Sequence, residues 1–349
     1  MGLNEYEWSI QPQDYGVLSA YVFMETVTDI DFNGKDIWIS SLSRGRYCAQ
    51  EQLSTFFVEQ FCSRVANMVS KPFNKNNPVI AAETRNLRIT IVHASVAETG
   101  TTICIRKTPN KMRLNEKLIL RSQYSTEEIM NLLGNCVCAG LSIAVCGGMG
   151  TGKTELIKYL THFIPANEKA ITMEDTMEVH FRDINPQKDC IALKVNERLF
   201  SYEDALKTSL RLNAEWMILS EVRSKEVKYL LENMSIGTGC LTTLHADDVR
   251  NIPDRIKNMY ADSAGLDQVE NDVYTFLNVG VMLRRKQQED KTVVRYIDQV
   301  CFFTRKECKN TVTMMVDERK LLHMQVPEHI KKRMRHKDIM DPFKAPKGV

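Results

Sequence analysis

Alternating apolar and polar residues dominate the first third of the chain and predict β-strands. Two such runs, 30–32 and 37–39, flank Asn33-Gly34, a dipeptide that strongly signals a tight hairpin. Between 53 and 68 the apolar residues instead recur at helical spacing, which predicts a helix. Alternation returns over 88–96 and 101–107. Residues 1–108 are therefore expected to form a small α+β domain.

After this domain, strand and helix patterns alternate along the chain. A polar stretch begins at 107, and we interpret 109–124 as a linker. Ser125-Thr126-Glu127-Glu128 has the sequence of a capping box before an apolar-periodic helix. The order predicts an α/β domain over 125–318, with a parallel sheet covered by helices on both faces. Strands are expected near 141–146, 170–174, 215–220 and 239–245, and further strands near 279–284, 293–300 and 311–316 should extend or flank the sheet.

The most specific motif follows the first strand of this domain. Residues 147–154 read G-x-x-x-x-G-K-T, and a strand before and a helix after are the context that a phosphate-binding loop needs. In such a loop backbone N–H groups surround a polyphosphate, the lysine binds the β and γ phosphates, and the threonine hydroxyl reaches Mg²⁺. A merely flexible glycine turn is the alternative interpretation. The predicted ATP-binding residues are Gly147, Gly148, Met149, Gly150, Thr151, Gly152, Lys153, Thr154 and Glu155.

Polar residues end three other strands of the same domain. Glu174 and Asp175 end one apolar run, Glu221 ends the next, and His245 ends the third. Because the carboxyl ends of parallel strands meet at one edge of a sheet, these side chains are expected near the loop. Taken singly, each acid is better interpreted as a solvated strand end and His245 as a satisfied core imidazole. Together with the loop they predict a site that hydrolyses a nucleotide.

Composition narrows the class of protein. With 349 residues, 26% of them charged and a net charge of +2, the chain resembles an ordinary globular protein and is not built to coat nucleic acid. No apolar run approaches the length of a membrane span, and residues 1–7 lack the order of a signal peptide. The ten cysteines are scattered without a C-x-x-C pair, so we expect free thiols in a reducing cytosol and no zinc site.

The end of the chain is basic. Segment 319–349 contains Lys331-Lys332-Arg333-Met334-Arg335-His336-Lys337 and two later prolines, and we expect a mobile tail. Like charge with little apolar content predicts docking to an acidic partner or an anionic membrane surface. A solvated, disordered end without a role is the alternative.

Four motifs together resemble the hexameric secretion ATPase superfamily, which includes type II and type IV secretion motors, pilus assembly and retraction motors, and tight-adherence pilus ATPases. The resemblance covers about residues 20–315 and is closest to the type IV secretion and tight-adherence branch, because the four-cysteine zinc module usual in the type II branch is missing. The motifs are the phosphate loop 147–154, the acidic box 171–178, the magnesium-side segment 219–223 and the histidine box 242–246. Segments 27–34, 105–107 and 210–212 are also similar to the family.

The resemblance implies a RecA-like P-loop ATPase domain after a small α+β (PAS-like) domain, and it implies roles for matched residues. Glu174 would position the hydrolytic water. Thr154 and Glu221 would hold Mg²⁺ or its water shell, and His245 would sense the γ phosphate. Arg211 and Arg223 would brace the acids or phosphates, and Arg88 and Arg106 would reach the nucleotide from the first domain.

The implied function is a Mg²⁺-dependent ATPase that forms a ring, expected to be a hexamer, and drives a secretion, conjugation or pilus machine. It would be cytoplasmic and peripherally attached to the cytoplasmic membrane through inner-membrane platform proteins. A pilus assembly or retraction motor is one alternative. A nucleic-acid translocase is another, against which the near-neutral charge argues. Glu174 and Glu221 argue against a third, a scaffold that binds nucleotide without hydrolysing it.

Three residues depart from the family pattern. Met149 replaces a small polar residue, and Ser220 replaces the glycine before the acid. Glu155 replaces a hydroxyl residue and would place a carboxylate near the α phosphate. Like-charge repulsion there would cost about 1 kcal/mol of nucleotide binding in a partly solvated site.

Overall fold

The computed structural model describes residues 12–196, 198–222, 226–260 and 266–346, without the side chain of Leu120. The chain divides into two compact units. The first unit comprises Met1–Asn110 with Lys286–Val293, and the second comprises Lys111–Arg285 with Val294–Val349. Within the described ranges, no helix is long and apolar enough to cross a membrane.

The first unit contains an antiparallel sheet and one long helix. After a 3₁₀ turn at Pro12–Leu18, its elements are α1 (Ser19–Phe23), β1 (Val27–Phe32), β2 (Ile37–Ser41), β3 (Gly45–Cys48), α2 (Thr55–Met68), β4 (Val79–Glu83), β5 (Leu87–Val92) and β6 (Thr102–Lys107). The strand order is β3-β2-β1-β6-β5-β4. The expected α+β pattern of this region is thus confirmed.

Local chemistry explains the hairpin and the helix of the first unit. The Asn33 side-chain oxygen accepts hydrogen bonds from the N–H groups of Lys35 and Asp36, and Gly34 has a φ of +98°, which favours glycine. Helix α2 begins where the Ser54 hydroxyl accepts from the N–H of Phe57. Its apolar face then packs on the sheet, because every second strand residue points to the same side.

The second unit is built on a mixed sheet with helices on both faces. Its elements are α3 (Glu116–Arg121), α4 (Glu127–Cys138), β7 (Ile143–Gly147), α5 (Lys153–Thr161), β8 (Ala170–Glu174), α6 (Phe181–Ile184), β9 (Cys190–Lys194), α7 (Tyr202–Ser209), β10 (Trp216–Leu219), α8 (Val227–Ser235), β11 (Gly239–Leu244), α9 (Ile252–Met259), α10 (Leu266–Phe276), β12 (Val279–Gln287), β13 (Val293–Lys306), β14 (Lys309–Asp317), β15 (Lys320–Leu321) and α11 (Glu328–Arg335).

The strand order of this sheet is β15-β14-β13-β12-β7-β11-β10-β8-β9. From β12 to β9 each neighbouring pair is parallel, whereas β13, β14 and β15 pair antiparallel. Strands β7, β8, β10 and β11 therefore all end at the same edge. The predicted parallel sheet is confirmed, and the later strands extend it.

Successive side chains of β7 point to opposite faces of the sheet, and helices cover both faces. Ile143 and Val145 lie in one apolar core with residues of α4, α5 and α11, whereas Ala144 and Cys146 lie in a second core with residues of α7, α8, α9 and α10. A strand buried on both faces reads as a continuous apolar run, as this one does in the sequence. The RecA-like α/β architecture follows from this arrangement.

Two expectations for the second unit are wrong. The capping box at 125–128 does not form: the N-cap of α4 is Thr126, its side chain makes no capping bond, and the buried Ser125 hydroxyl has no partner among the described residues. The C-terminal segment is not a mobile tail, because 328–335 forms α11 and buries Ile330 and Met334 against the core that contains α4.

The stretch expected as a linker also contributes to the second unit. Leu114, Ile119 and Tyr124 are buried in the same core as α4, and α3 lies within this stretch. The many polar residues of this stretch favoured the linker interpretation, although its three apolar residues are part of the core.

Candidate functional site

The phosphate loop runs from the last residue of β7, Gly147, to the first residue of α5, Lys153. Gly150 and Gly152 have φ values of +69° and +94°, in the left-handed region that favours glycine. A Cβ added to Gly147, whose φ is +146°, would lie 2.5 Å from the carbonyl oxygen of Leu283 on the neighbouring strand β12. These three positions therefore require glycine, and the predicted strand–loop–helix context is present.

Lys153 folds back over the loop. Its ammonium group donates to the carbonyl oxygens of Gly147 (2.9 Å) and Gly148 (3.1 Å). Burial lowers the pKa of Lys153, while the nearby Glu221 carboxylate acts in the opposite direction. A phosphate is a stronger partner for an ammonium than a carbonyl is, so Lys153 is placed to exchange these contacts for contacts with an anion.

Thr154 contacts a carboxylate from the end of β8. Its hydroxyl lies 3.2 Å from Oε2 of Glu178, a half-buried residue in the turn after that strand. Hydroxyl and carboxylate oxygens are hard ligands of the kind that Mg²⁺ prefers. The sequence places Glu178 in the acidic box without a role of its own, and the structure brings it to the loop.

Glu174, the last residue of β8, has a different environment. It is 0% exposed, and its Oε2 accepts from the N–H groups of Glu178 (2.8 Å) and Val179 (2.9 Å). Its Oε1 is buried without a hydrogen-bond partner among the described residues. Burial raises the pKa of Glu174 to about 7, and the Glu178 charge adds to this rise, whereas the two N–H donors oppose it. The Glu174 carboxyl group thus holds the turn that carries Glu178.

Glu221 and His245 form a pair across the ends of β10 and β11. Nε2 of His245 lies 3.0 Å from Oε1 of Glu221, and Nδ1 lies 3.1 Å from the carbonyl oxygen of Gly147. A ring nitrogen that carries a proton can donate to the oxygen that it faces, so the tautomer of the imidazole decides which of the two contacts it donates to. His245 therefore contacts the loop directly, and Glu221 contacts His245, as expected for residues at the ends of neighbouring parallel strands.

Tyr202 links two of the strand ends. Its hydroxyl accepts from the N–H of Asp175 at 3.1 Å and lies 3.1 Å from the hydroxyl of Ser220. Ser220, which departs from the family pattern, therefore joins the end of β10 to the turn after β8. The sequence offers no signal for this contact, because Tyr202 lies in the first turn of α7, far from either motif along the chain.

The Glu155 carboxylate is engaged away from the loop. Its Oε2 accepts from the N–H of Arg113 at 3.1 Å, and its Oε1 lies 3.5 Å from the ammonium group of the buried Lys158. This arrangement differs from the expectation that Glu155 repels the α phosphate, since Lys158 offsets part of its charge. The exposed Met149 side chain, 69% accessible, adds an apolar surface to the loop itself.

The arginines expected to assist lie in several places. Arg211 is exposed just after α7, and Arg223 lies outside the described residues. In the first unit, Arg88 pairs opposite Arg106 in the register of β5 and β6, as the hairpin expectation required. Arg106 also forms an ion pair with Asp29 at 2.8 Å. Two further arginines, Arg285 and Arg295, lie at the loop without having been predicted.

The oxygen ligands around Thr154 fit a nucleotide-bound Mg²⁺. Within the described ranges, no group of three or more His, Cys, Asp or Glu side chains could hold a metal by itself. Mg²⁺ usually needs only one or two carboxylates when phosphate oxygens and waters complete its shell. The Thr154 hydroxyl, together with the Glu221 carboxylate near Lys153, is compatible with that mode of binding.

Comparison with known proteins adds independent findings. The family described as Type II/IV secretion system protein matches residues 71–336, more than half of the chain. An uncharacterized protein of Bacillus anthracis is 26% identical over 295 residues, which cover 81% of this chain and 66% of that protein. The type IV secretion system protein VirB11 of Bartonella quintana is 27% identical over 190 residues, or 51% of this chain and 52% of VirB11.

A solved structure shows the same fold. The ATPase DotB of Yersinia pseudotuberculosis aligns with a TM-score of 0.63 at 15% identity, covering 84% of this chain and 80% of DotB. The chain spans 66% of the length of the Bacillus protein and 52% of VirB11. The extent of the family match, over residues that include the loop and all the strand-end groups, shows that the chain belongs to the type II/IV secretion system protein family.

Proposed function

We propose that this chain is a Mg²⁺-dependent ATPase that powers a membrane secretion, conjugation or pilus machine. The observation that carries the proposal is the meeting of Lys153, Thr154, Glu178, Glu221 and His245 at one edge of the parallel sheet. Family membership supports the same function, as do the names of two similar proteins, a type IV secretion system protein and an ATPase.

The loop would bind the phosphates of ATP. Lys153 would exchange its two carbonyl contacts for the β and γ phosphates, and the N-terminus of α5 would add positive potential. Mg²⁺, when bound with the nucleotide, would neutralise charge that develops on the transferred phosphoryl group. Thr154 would hold it directly, and Glu221 would bind its water shell.

The geometry favours Glu178 over Glu174 as the group that receives the proton of the attacking water. Glu178 is half-buried and contacts the Thr154 hydroxyl, whereas Glu174 is enclosed and tied to two backbone N–H groups. A general base must come within hydrogen-bond reach of the water that it activates. We therefore assign Glu178 as the base and Glu174 as the residue that positions it.

His245 would report the state of the γ phosphate. Its ring contacts the Gly147 carbonyl on one side and Glu221 on the other, so a change at the loop alters both contacts. Because the same imidazole contacts the loop and Glu221, a movement of the loop on ATP binding or hydrolysis would move Glu221 at the end of β10.

A ring of several copies, expected to be a hexamer, would complete the site. Arg88 and Arg106 would contact the nucleotide of a neighbouring chain, since phosphoryl transfer requires more positive charge than Lys153 and Mg²⁺ supply. The ring would work in the cytoplasm on inner-membrane platform proteins of a secretion or pilus system. A pilus assembly or retraction motor remains the alternative within this class.

Phosphate release from ATP by the wild-type chain, with and without Mg²⁺ and with added DNA, tests the class of function. A motor of a secretion system should require Mg²⁺ and be indifferent to DNA. Steep, salt-sensitive stimulation by DNA would favour a nucleic-acid translocase instead. Binding of ATP without any turnover, alone or with its membrane partners, would favour a scaffold.

A further inference from the structure

Two arginines on neighbouring strands lie beside the phosphate loop. Arg285 is on β12 and Arg295 is on β13. At the tip of this hairpin the N–H of Gln288 donates to the carbonyl of Thr292 at 2.8 Å. Farther along the two strands, both arginines reach Gly150 of the loop, which brings their guanidinium groups to one place.

Arg295 contacts the backbone of the loop. Its Nε donates to the carbonyl oxygen of Gly150 at 2.9 Å, and its Cδ lies 3.6 Å from the place of a Cβ on Gly152. In a trans peptide the C=O and the next N–H point in opposite directions, so holding the Gly150 carbonyl also fixes the N–H of Thr151. A phosphate loop requires its N–H groups, and not its carbonyl groups, to face the anion.

Arg285 lies against the same glycine. A Cβ on Gly150 would come within 2.9 Å of Nη1 of Arg285, so the guanidinium group touches the loop. Arg285 is exposed and forms no hydrogen bond or ion pair with any residue in the described part of the chain. Its neighbour Arg284 is instead engaged with Asp298 at 2.5 Å and with the carbonyl of Asp247.

The two guanidinium charges at the loop favour the binding of an anion there. Two guanidinium groups that both reach Gly150 repel each other. Arg295 has a partner at the loop, but the Arg285 charge has none nearby among the described residues. A polyphosphate bound at 147–154 would offset this repulsion, and the planar fork of arginine matches two phosphate oxygens.

We propose that Arg285 binds the polyphosphate of the nucleotide and that Arg295 is a positioning residue that holds the loop in shape. The inference rests on the proposed function, because it takes 147–154 as the ATP site. It adds a cationic contact from the second unit itself, distinct from Arg88 and Arg106 of the first unit.

Calorimetric titration of the full chain with Mg·ATP and Mg·ADP tests Arg285. Arg285→Ala should weaken Mg·ATP binding by about tenfold or more, the size expected for a lost hydrogen bond to a charged group. Arg285→Lys should retain part of the affinity as a point charge without the fork. Lys306→Ala is the matched control: it removes one positive charge from the far end of β13, where the side chain is 85% exposed, and should leave affinity unchanged.

Amide hydrogen exchange separates the positioning role of Arg295 from a general loss of stability. Arg295→Ala should speed exchange in the peptide that contains 147–152 and weaken both nucleotides equally, with exchange in the first unit unchanged. Arg295→Lys should restore slow exchange in part, because lysine can still donate to the Gly150 carbonyl.

The outcomes distinguish this inference from the proposed function. One outcome is that the wild type binds Mg·ATP, that Lys153→Ala does not, and that Arg285→Ala and Arg295→Ala both bind with the affinity of the wild type. The two arginines then have no role in binding, and only this inference fails. If the wild type binds no nucleotide, the proposed function fails and this inference fails with it.

Discussion

Two acidic residues four positions apart have different chemistry because their surroundings differ. Glu174 is enclosed at the end of β8, and burial raises its pKa to about 7. Glu178 is half-buried and reaches the Thr154 hydroxyl. The sequence marks the acidic box, but which acid reaches the loop depends on the turn at 175–178, whose path is set by backbone N–H bonds to Glu174.

The two acids can be separated by their effect on turnover. Glu178→Gln should lower the rate of ATP hydrolysis by at least ~10²-fold with ATP binding retained, the size typical of a lost general base. Glu174→Gln keeps an acceptor for the two N–H donors and should cost less. Single-turnover phosphate release measures both. A larger loss in Glu174→Gln than in Glu178→Gln would restore Glu174 as the base.

The raised pKa of Glu174 also predicts a pH effect on stability. The folded chain holds this proton up to about pH 7, whereas the unfolded chain releases it near pH 4.5. The stabilisation from this group is therefore complete below the unfolded pKa and is lost as pH rises through 7. Relative to Glu174→Gln, the wild type should lose up to ~3 kcal/mol of unfolding free energy between pH 5 and 8.

Urea unfolding of both proteins at pH 5, 6, 7 and 8 measures this difference. Glu59→Gln, a change at an exposed carboxyl of α2, is a suitable control because it should leave the profile of the wild type unchanged. Parallel profiles for the wild type and Glu174→Gln would show that Glu174 is ionised normally in the folded chain.

At the scale of elements, the strands and the loop could be predicted because their signals are local. The run 143–146 is apolar throughout since both faces of β7 are buried, and the glycines at 147, 150 and 152 are required by the backbone itself. The capping box that the sequence predicts does not form. It requires Ser125 as the N-cap, and α4 begins one residue later, with Thr126 as the N-cap. With Thr126 as the N-cap, the third helical position is Ile129, whose side chain cannot accept a hydrogen bond.

The C-terminal helix α11 could not be predicted from the sequence, because its many charged residues are typical of a solvated segment. Ile330 and Met334 are one helical turn apart and fully buried, yet five basic residues between 331 and 337 dominate the composition. Tertiary contacts fix this segment: the side-chain amide of Asn135 donates to the carbonyl oxygens of Pro342 and Lys344. Arg333 donates to the carbonyl of Gly140 at 2.8 Å. Such partners lie 193 to 209 residues apart along the chain and leave no local pattern.

Truncating the apolar face of α11 should therefore destabilise the fold. Met334→Ala should cost about 2–5 kcal/mol, the range for removing a buried side chain of this size. Lys332→Ala, an exposed change on the same helix, should stay within about 0.5 kcal/mol of the wild type. Thermal unfolding followed by circular dichroism compares the two. Equal melting temperatures for Met334→Ala and the wild type would mean that α11 does not pack on this core in solution.

At the scale of the whole molecule, the proposed ring predicts complementation between defective chains. Arg88 and Arg106 lie opposite each other on β5 and β6, so both can serve one site. Mixing Arg106→Ala chains with Lys153→Ala chains should restore part of the turnover, because some interfaces then combine an intact loop with an intact arginine. An arginine contributed in this way increases rates by about 10³–10⁵-fold in other phosphoryl-transfer enzymes.

Mixtures at increasing ratios, assayed for phosphate release, test the arrangement. Arg46→Ala, which changes another exposed arginine of the first unit that pairs with Asp31, controls for loss of surface charge. A dead Arg106→Ala chain that is never rescued would place the contact within one chain. Wild-type turnover in Arg106→Ala alone would remove this arginine from the mechanism.

The site at the edge of the second unit's sheet is proposed to hydrolyse Mg·ATP through Lys153. The most direct measurement is steady-state phosphate release by the wild-type chain and by Lys153→Ala, with Mg·ATP and with ATP in excess EDTA. Turnover is expected only for the wild type with Mg²⁺, and none is expected for Lys153→Ala. Equal turnover by the two proteins would contradict it, because the loop would then not be the catalytic site.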